Sequence, residues 1–437
     1  MSVTQLLQYA GYGVVFIIMI SILVAAHELG HYLFARLFNM GVEEFAIGFG
    51  KKPILIWGHR TYTLPIKPGE NWDETGGKAL AGAENTAALL SASLEGSNPD
   101  REIERIETPT GPVLRETTAF TVRPWPLGGF VRIKGMMPEE DGSETKITGG
   151  FYSKAPWQRF IVLLAGPMFS ILAGIVLLTS VLMVDGKDVF NKQPVLGALT
   201  AGKPAELSGL KEGDRVLAIG NKPVSQFYDI IVAVRSSNGA PLEFQVDRAG
   251  VKSTHKVVAE LDPEPSYQLG PDLETTDVKA KSYKIGILPK TNRIRLPFGA
   301  AVAEASNMPI EAVSGLAKLF KHPQNFKDNV GGPVTMVSAT AAAVQVGFWK
   351  VVMLSALLSI SVGIMNLLPA APLDGGQMLM AVAEMLRGGR RLSLRSQAIA
   401  NGIGLTFVAV LILSVWVVDI QRLATPSKPK PAAAKPK

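Results

Sequence analysis

Long uncharged runs interrupt an otherwise mixed pattern of polar and apolar positions along this chain. Each run contains no Asp, Glu, Lys or Arg. A helix needs about 20 mostly apolar residues to cross a bilayer, so each run qualifies on length. Several such runs together are poorly explained as buried helices of a large soluble protein. The pattern predicts a polytopic α-helical membrane protein with four spans. The runs are Met1–Ala26, Phe160–Val184, Val351–Leu373 and Ser396–Val418.

The polar stretch between the first two runs contains two β-type segments. Residues 42–66 and 119–135 are rich in β-branched and aromatic side chains with Gly and Pro punctuation, so we predict short strands or membrane-associated β-hairpins in both. The intervening residues 67–118 are polar, charged and poor in aromatics. We interpret them as an insertion, with a possible helix at residues 83–95.

The region after the second run has the pattern of a soluble domain. It contains short β-type runs and one helix-like run, QFYDIIVAVRSS. Residues 202–224 resemble the core of a PDZ domain, with Gly209-Leu210 before the helix-to-strand turn and Gly213-Asp214 within it. The resemblance implies one PDZ domain over residues 190–290, which would contact peptides or substrates.

Two segments before the third run leave alternatives open. Residues 297–322 have apolar positions at helical spacing, which fits either a helix lying on the membrane or an ordinary surface helix. Residues 330–349 are uncharged but rich in Gly, Ala, Ser and Thr, which makes them a poor span. We expect an interfacial or re-entrant segment there; a crossing would invert the topology beyond it.

The charge of the short loops predicts the orientation. The loop between the last two spans carries four arginines against two acids, and basic short loops mark the cytoplasmic side. The β-elements are then cytoplasmic, and the PDZ domain and both termini lie outside. The basic C-terminal tail disagrees with this orientation, but such a tail follows spans whose orientation is already set.

The predicted units are the first span (1–38), the β-elements with the insertion (39–156), the second span (157–185), the PDZ domain (190–290), the amphipathic and interfacial segment (297–349), the third span ending at Asp374 (350–373), the fourth span (396–420) and a disordered tail (424–437).

Composition narrows the chemistry. The chain has 437 residues, of which 47% are hydrophobic, and its net charge of +7 requires no nucleic acid because part of it lies in the tail. With no cysteine, any transition-metal site must use His, Asp or Glu, and only five histidines exist. The first apolar run lacks a basic segment before it and leads directly into polar residues, so we expect it to be retained rather than cleaved as a signal peptide.

His27-Glu28-Leu29-Gly30-His31 is an HExxH motif. On a helix, residues four apart share one face, so both imidazoles can bind one Zn²⁺. Glu28 can then take a proton from a metal-activated water and return it to the leaving amine. The alternative is that both histidines merely pack the helix end. Ionisable residues in an apolar span are costly, which favours a functional reading.

A catalytic zinc site uses three protein ligands and keeps one position open. Asp374 is the best third candidate, because the first and third spans run in the same direction and their C-terminal ends meet the same membrane face. The other three histidines are predicted to be ordinary surface residues. They are His59, His255 and His322.

HELGH together with the distant NLLPAAPLDGG resembles the site-2 protease family of intramembrane metalloproteases. GFG at 48–50, PLGGFVRIKGM at 127–137, AGP at 165–167 and GGPV at 331–334 are similar to its bacterial regulator-of-sigma-E branch. The resemblance implies His27, His31 and Asp374 as zinc ligands and Glu28 as catalytic acid and base. It also implies β-elements bordering the site at 48–50 and 127–134. The implied substrate-binding residues are Asn366, Gly48, Phe49, Gly50, Gly128, Gly129 and Pro372.

The function implied is cleavage of single-pass membrane proteins within or near their membrane segment, such as an anti-sigma factor or a signal-peptide remnant. The family expectation is a multi-pass protein of the bacterial inner membrane, with zinc toward the cytoplasmic face. We hypothesise that the PDZ domain excludes untrimmed substrates. A non-catalytic membrane scaffold would lack a ligand or the glutamate, and a zinc transporter would need more intramembrane acids and histidines. Enterobacterial members carry tandem PDZ domains, whereas this chain has room for one. The insertion at residues 67–118 is also longer than expected for the family. Both differences concern substrate selection and not the chemistry.

Overall fold

A computed structural model describes residues 3–65, 103–108, 111–136, 143–262, 266–271, 273, 275–321 and 330–424. The chain divides into two compact units, one formed by residues 1–181 with 297–425 and the other built around residues 182–296. The possible helix at 83–95 and, apart from Ala424, the predicted disordered tail lie outside the described residues.

The helices and strands are numbered along the chain. The helices are α1 (Val3–Leu37), α2 (Pro156–Val184), α3 (Pro204–Leu207), α4 (Phe227–Ser236), α5 (Phe298–Lys321), α6 (Pro333–Val346), α7 (Phe348–Asn366), α8 (Asp374–Leu386) and α9 (Leu394–Ala424). The strands are β1 (Val42–Phe49), β2 (Leu55–Pro65), β3 (Ile103–Thr108), β4 (Gly111–Val122), β5 (Trp125–Ile133), β6 (Lys187–Phe190), β7 (Leu196–Leu199), β8 (Arg215–Ile219), β9 (Lys222–Pro223), β10 (Pro241–Arg248), β11 (Val251–Val258), β12 (Glu260–Leu261), β13 (Ser266–Leu269), β14 (Thr275–Ala280), β15 (Tyr283–Lys284), β16 (Ile287–Pro289) and β17 (Thr291–Ile294).

Four of the described helices are long and apolar enough to cross a membrane, as the uncharged runs predict. The HELGH motif lies inside α1, which continues beyond His31 to Leu37. Pro167 is accommodated within α2. The candidate spans are Ala10–Leu37, Pro156–Val184, Phe348–Asn366 and Leu394–Arg422. The chain is therefore an integral membrane protein.

The third span is shorter than predicted, which corrects the boundary at Leu373. α7 ends at Asn366, and Asp374 is the first residue of α8 rather than the end of the span. Pro369 and Pro372 lie between the two helices. A proline lacks the amide hydrogen and disfavours helical backbone at the residue before it. Hydropathy missed this break because the connecting residues are as apolar as the span.

The polar segment after α1 folds into a five-stranded sheet with β2-β4-β1-β5 as its main order and β3 paired to β4. β1 runs parallel to β4 and antiparallel to β5. Strands occur in both predicted segments, but β1 and β2 do not form a hairpin with each other because β4 lies between them. The hairpin present is β3–β4, from the segment we interpreted as an insertion. Its strands alternate in polarity with many charges, so hydropathy did not reveal them.

The sheet packs against α1 and α2 through one apolar cluster. Tyr32 and Ala35 of α1, Phe45 of β1 and Val162 of α2 are among its buried members. The ring of Tyr32 meets the ring of Phe45 edge-on, with centroids 6.0 Å apart. This packing fixes the sheet beside the part of α1 that carries the HELGH motif.

Helix α6 corresponds to the apolar segment whose placement the sequence left open. It has 14 residues, fewer than the roughly 20 that a span requires. The carboxylate of Asp419 on α9 caps its first turn by accepting hydrogen bonds from the backbone N–H groups of Gly332 (3.0 Å) and Val334 (2.9 Å). At the other end, Gln345 donates to the hydroxyl of Tyr12 on α1 at 3.4 Å. GGPV is thus the start of a helix tied to α9 and α1.

The second unit is mainly β and has its own core. Its largest sheet has the order β11-β10-β8-β9, and α4 buries Phe227 and Ile230 in the core. Asp214 lies in the turn that the sequence singled out. Burial alone would raise the pKa of Asp214, but hydrogen bonds from the Arg248 guanidinium and the Lys211 amide outweigh it and lower that pKa. The PDZ assignment stays a prediction.

Candidate metal centre

The two histidines of HELGH occupy one face of α1, one turn apart. Both are buried, with 7% of His27 and 8% of His31 exposed. Their Nε2 atoms are 3.2 Å apart. The helical spacing of four residues brings two imidazole nitrogens to one point, as the sequence indicates.

Helix α2 orients both imidazole rings. His31 Nδ1 lies 2.8 Å from the carbonyl oxygen of Val162, and His27 Nδ1 lies 2.9 Å from the hydroxyl of Ser170. A carbonyl oxygen only accepts, so Nδ1 of His31 must donate. In the neutral ring, Nε2 of His31 then has a free lone pair, which is the state a metal requires.

Glycines allow α1 and α2 to approach closely enough for these contacts. A Cβ at Gly30 would clash with the carbonyl of Ala165, and a Cβ at Gly166 would clash with the imidazole of His31. Small residues at facing positions are a common means of close helix packing in membranes. Gly30 of HELGH and Gly166 of AGP are therefore positioning elements of the site.

Asp374 reaches the histidines from the first turn of α8. Its Oδ2 lies 3.1 Å from Nε2 of His27 and 3.4 Å from Nε2 of His31. A buried ion pair between Glu384 of α8 and Arg159 of α2, 2.5 Å apart, ties the helix that carries Asp374 to the helix that orients the histidines. This arrangement brings together the three residues that the sequence grouped as metal ligands.

The three atoms fit a zinc ion. They form a triangle with sides of 3.1, 3.2 and 3.4 Å. Zinc–ligand bonds of about 2.0–2.1 Å in a tetrahedron place neighbouring ligand atoms about 3.3 Å apart. Two imidazole nitrogens and one carboxylate oxygen are also a donor set found in catalytic zinc sites, which keep one position open.

Glu28 faces a pocket of about 290 Å³ together with the three ligand residues. The backbone of Val131 on β5 lies close to this carboxylate and lines the same pocket. Because Glu28 follows His27 directly on the helix, it points to the side of the ligand face and into this space. A carboxylate in that place can exchange a proton with a water molecule that enters the pocket.

Strand β5 borders the pocket with a free edge. It is the last strand on its side of the described sheet, pairing with β1 only. Gly128, Gly129, Phe130 and Val131 line the pocket. A Cβ at Gly129 would come within 2.8 Å of Val24 on α1, so glycine lets the strand run close to the helix. The edge can accept an extended peptide by strand addition.

Most of the substrate-binding residues predicted from the sequence line this pocket. Asn366 is among them, and its side-chain amide also donates to the carbonyl of Val362 at 3.1 Å, the ordinary contact of a polar residue in a span. Gly48 and Gly50 are not among the lining residues. They flank Phe49 in the chain and have φ angles of +90° and +139°. The predicted residues that line the pocket are Phe49, Gly128, Gly129, Asn366 and Pro372.

Sequence reasoning missed several residues of the site. Ser170 and Gly166 belong to the AGPMFS segment, where a polar residue and a glycine inside a span were available signals. The apolar residues gave no signal, because they look like any other residue of a span or strand. The lining residues missed are Val24, Met136, Val162, Leu163 and Val362.

A buried ion pair holds the turn that carries Phe49. Arg123 donates to both carboxylate oxygens of Glu44, at 2.7 and 2.8 Å, and also to the carbonyl of Gly50. The side chains of Arg123 and Glu44 are each 1% exposed. Arg123 therefore fixes the end of β1 against the start of β5, on either side of the pocket-lining turn.

Replacing Arg123 with methionine is expected to destabilise the sheet by about 3 kcal/mol, because it leaves the buried carboxylate of Glu44 with only the more distant guanidinium of Arg132, at 3.7 Å, as counter-charge. Thermal unfolding of the purified protein, followed by tryptophan fluorescence, measures the loss. The matched control is the pair Arg123→Met with Glu44→Met, which should recover most of the stability. Equal losses in the single and double variants would contradict an orphaned charge as the cause.

The second unit contains a separate groove of about 340 Å³ between α4 and β15–β16. Its lining is mainly apolar, with Phe227, Ile231 and Ile287 among its residues and Arg235 and Lys284 as the charged ones. Among the described residues, its lining contains no acid and no histidine.

The chain is similar to known proteins along most of its length. It matches the family described as "Peptidase family M50" over residues 15–69 and 102–411. It is 30% identical to the Enterococcus faecalis protein named "Probable protease eep", over 94% of this chain and 98% of that protein. It is 28% identical to "Zinc metalloprotease RasP" of Bacillus licheniformis, over 94% and 99% of the two chains. It is 28% identical to "Regulator of sigma-W protease RasP" of Bacillus subtilis, over 94% and 98%.

Proposed function

Because this chain belongs to peptidase family M50, the site-2 protease family, and is a membrane-embedded zinc metalloprotease, we propose that it cleaves single-pass membrane proteins within or beside their membrane segment. The observation that carries the proposal is the meeting of His27, His31 and Asp374 next to Glu28, in a pocket that adjoins a free strand edge.

We assign the metal-ligand role to His27, His31 and Asp374. Zn²⁺ bound by them would act as a Lewis acid that polarises the scissile carbonyl and lowers the pKa of a water molecule. Val162 and Ser170 hold the imidazole rings so that their Nε2 atoms converge. The ion pair of Arg159 with Glu384 keeps Asp374 in register with them.

Glu28 is the proposed general base and acid. Its carboxylate takes the proton of the attacking water and then gives it to the leaving amine. Both proton transfers take place in the same pocket, so one residue can serve both.

The substrate must be extended, because amides in a helix are already hydrogen-bonded and shielded. We propose that its unwound backbone pairs with the free edge of β5, while Asn366 contacts it from the other side of the pocket. Pro372, in the non-helical connection between α7 and α8, lines this cavity, which is where irregular backbone is tolerated at membrane depth. Phe49 and Pro372 limit the space that is available to substrate side chains.

The unit of residues 182–296 is proposed to be a PDZ domain that contacts substrate through the groove beside α4. Its expected effect is to exclude substrates whose external domain has not been removed. The proposed location is the bacterial inner membrane, with the metal centre toward the cytoplasm and this unit outside. Anti-sigma factors are the proposed substrate class, since one relative is named "Regulator of sigma-W protease RasP".

The direct test uses the purified full-length protein in vesicles with zinc and two substrates that share one membrane segment. One substrate is trimmed outside the membrane, and the other keeps a folded external domain. We expect product termini inside or next to the membrane segment, mapped by mass spectrometry. We expect the trimmed substrate to react at least about tenfold faster, which corresponds to about 1.4 kcal/mol of discrimination.

The two outcomes are separable. Cleavage found only in the soluble part of the substrate would contradict the proposal of cleavage within or beside the membrane segment. Equal rates for both substrates, with product termini still in the membrane segment, would remove the exclusion role of the second unit and leave the protease assignment standing.

A further inference from the structure

A second cavity of about 310 Å³ lies beside the last turn of α1, outside the metal centre. Residues of α1 form one wall and residues of β2 form the other. The cavity combines two arginines with two tyrosines and one leucine. Its lining residues are Tyr32, Leu33, Arg36, Arg60, Thr61 and Tyr62.

Arg36 is held in place at this cavity. It donates to the carbonyl of Met40 at 2.7 Å, and its guanidinium carbon lies 3.3 Å from the centre of the Tyr62 ring. The Tyr62 hydroxyl in turn bonds both backbone groups of Val42, at 2.7 and 2.9 Å. A guanidinium fixed in this way keeps further N–H donors that can face the cavity.

Arg60 supplies a second positive charge without a local counter-charge. It is exposed on β2, and among the described residues its side chain has no hydrogen bond or ion pair. Glu116 is the carboxylate that acts on Arg36. It is buried and accepts hydrogen bonds from Lys134 at 2.5 Å and from the Tyr62 hydroxyl at 3.2 Å. Because Glu116 is paired with Lys134, it offsets only part of the charge of Arg36, and the two arginines together present an excess of positive charge.

An apolar stripe adjoins this charged cavity on α1. Leu29, Leu33 and Leu37 follow one another at every fourth residue and are 40%, 42% and 67% exposed. Residues four apart share a helix face, so the stripe is continuous. Leu33 belongs both to the stripe and to the cavity wall.

We propose that this cavity binds the phosphate of an anionic phospholipid. Arg36 and Arg60 contact the phosphate, and an acyl chain lies along the leucine stripe. Guanidinium groups match phosphate oxygens in geometry and charge. Arg36 is in the last turn of the first span, which is the depth of lipid headgroups. The leucine stripe favours a lipid over free phosphate, because inorganic phosphate has no apolar part that could pack against the leucines.

The test measures binding of phosphatidylglycerol and phosphatidylcholine to the detergent-purified full-length protein by native mass spectrometry. We expect Arg60→Gln to weaken phosphatidylglycerol binding about fivefold, as expected for one basic residue near an anionic lipid, and to leave phosphatidylcholine binding unchanged. Arg60→Lys should retain most of the affinity. Lys222→Gln, which removes an exposed charge from the second unit, should have no effect.

Arg60 is exposed, so its replacement should not affect folding, and an unchanged melting temperature checks this. Equal phosphatidylglycerol binding by Arg60→Gln and the unmodified protein would overturn the proposal. Displacement of the lipid by millimolar inorganic phosphate would also overturn it, because it would identify the site as one for free phosphate. Failure of inorganic phosphate to displace the lipid supports the assignment.

Discussion

Glu28→Gln is expected to lower the rate of substrate cleavage by about 10²–10⁴-fold, the usual contribution of general acid–base catalysis. Glutamine keeps the size of the side chain but cannot accept the proton of the attacking water. Since Glu28 lies beside the ligands rather than among them, the zinc content should stay the same. The measurement is the initial rate on a membrane-anchored substrate, with zinc determined by elemental analysis of the same sample.

The control for this variant must separate lost chemistry from lost structure. Glutamine has the same shape as glutamate and can occupy the same place in the pocket, so β5 should keep its place beside α1. An unchanged melting temperature together with unchanged zinc would establish that the site is intact. Cleavage by such a sample at the rate of the unmodified protein would refute the role of Glu28.

Asp374→Ala is expected to lower zinc affinity by at least about 100-fold, because it removes one of three ligands. Loss of an outer hydrogen bond to a ligand typically costs only about 10–100-fold. Ser170→Ala, which removes the 2.9 Å partner of His27 Nδ1, therefore gives a graded comparison in the same site. Competition with a zinc chelator measures both affinities, and cleavage should fall in the same order.

A matched control is Asp247→Ala in the second unit, which removes a carboxylate far along the chain from the HELGH motif. Asp247 accepts a hydrogen bond from the amide of Gly250 in a turn and should not affect zinc. If Asp374→Ala retained full zinc affinity, the triangle of ligand atoms would need another third member. Among the described residues, His27, His31 and Asp374 are the only group of three His, Asp or Glu side chains close enough together to hold a metal ion.

The predicted spans and the paired histidines depend on local spacing, which is why the sequence indicates them. An uncharged run long enough to cross a bilayer is a property of neighbouring residues, and so is the four-residue repeat that puts His27 and His31 on one face. Asp374 required one further step, the parallel direction of two spans. Its position at the start of α8, after a proline-containing break, was not visible in hydropathy.

The sheet shows where local patterns stop being informative. Both predicted segments contain strands, but the order of the strands places β4 between β1 and β2 and leaves β5 with a free edge. Strand order depends on which edges meet across long separations in the chain. The polar alternation of β3 and β4 gave a weak signal beside the strong apolar runs. The free edge that borders the pocket was therefore known only once the chain was folded.

The sequence by itself determined the number of spans, the HELGH motif and the chemical class of the metal site, because each depends on residue type and short-range spacing. Only the tertiary structure decided how His27, His31 and Asp374 meet within 3.4 Å, through the close approach of Gly30 and Gly166 and the ion pair of Arg159 with Glu384. It also decided that Arg36 and Arg60 share a cavity. These contacts join residues far apart in the chain, and packing rather than local propensity selects them.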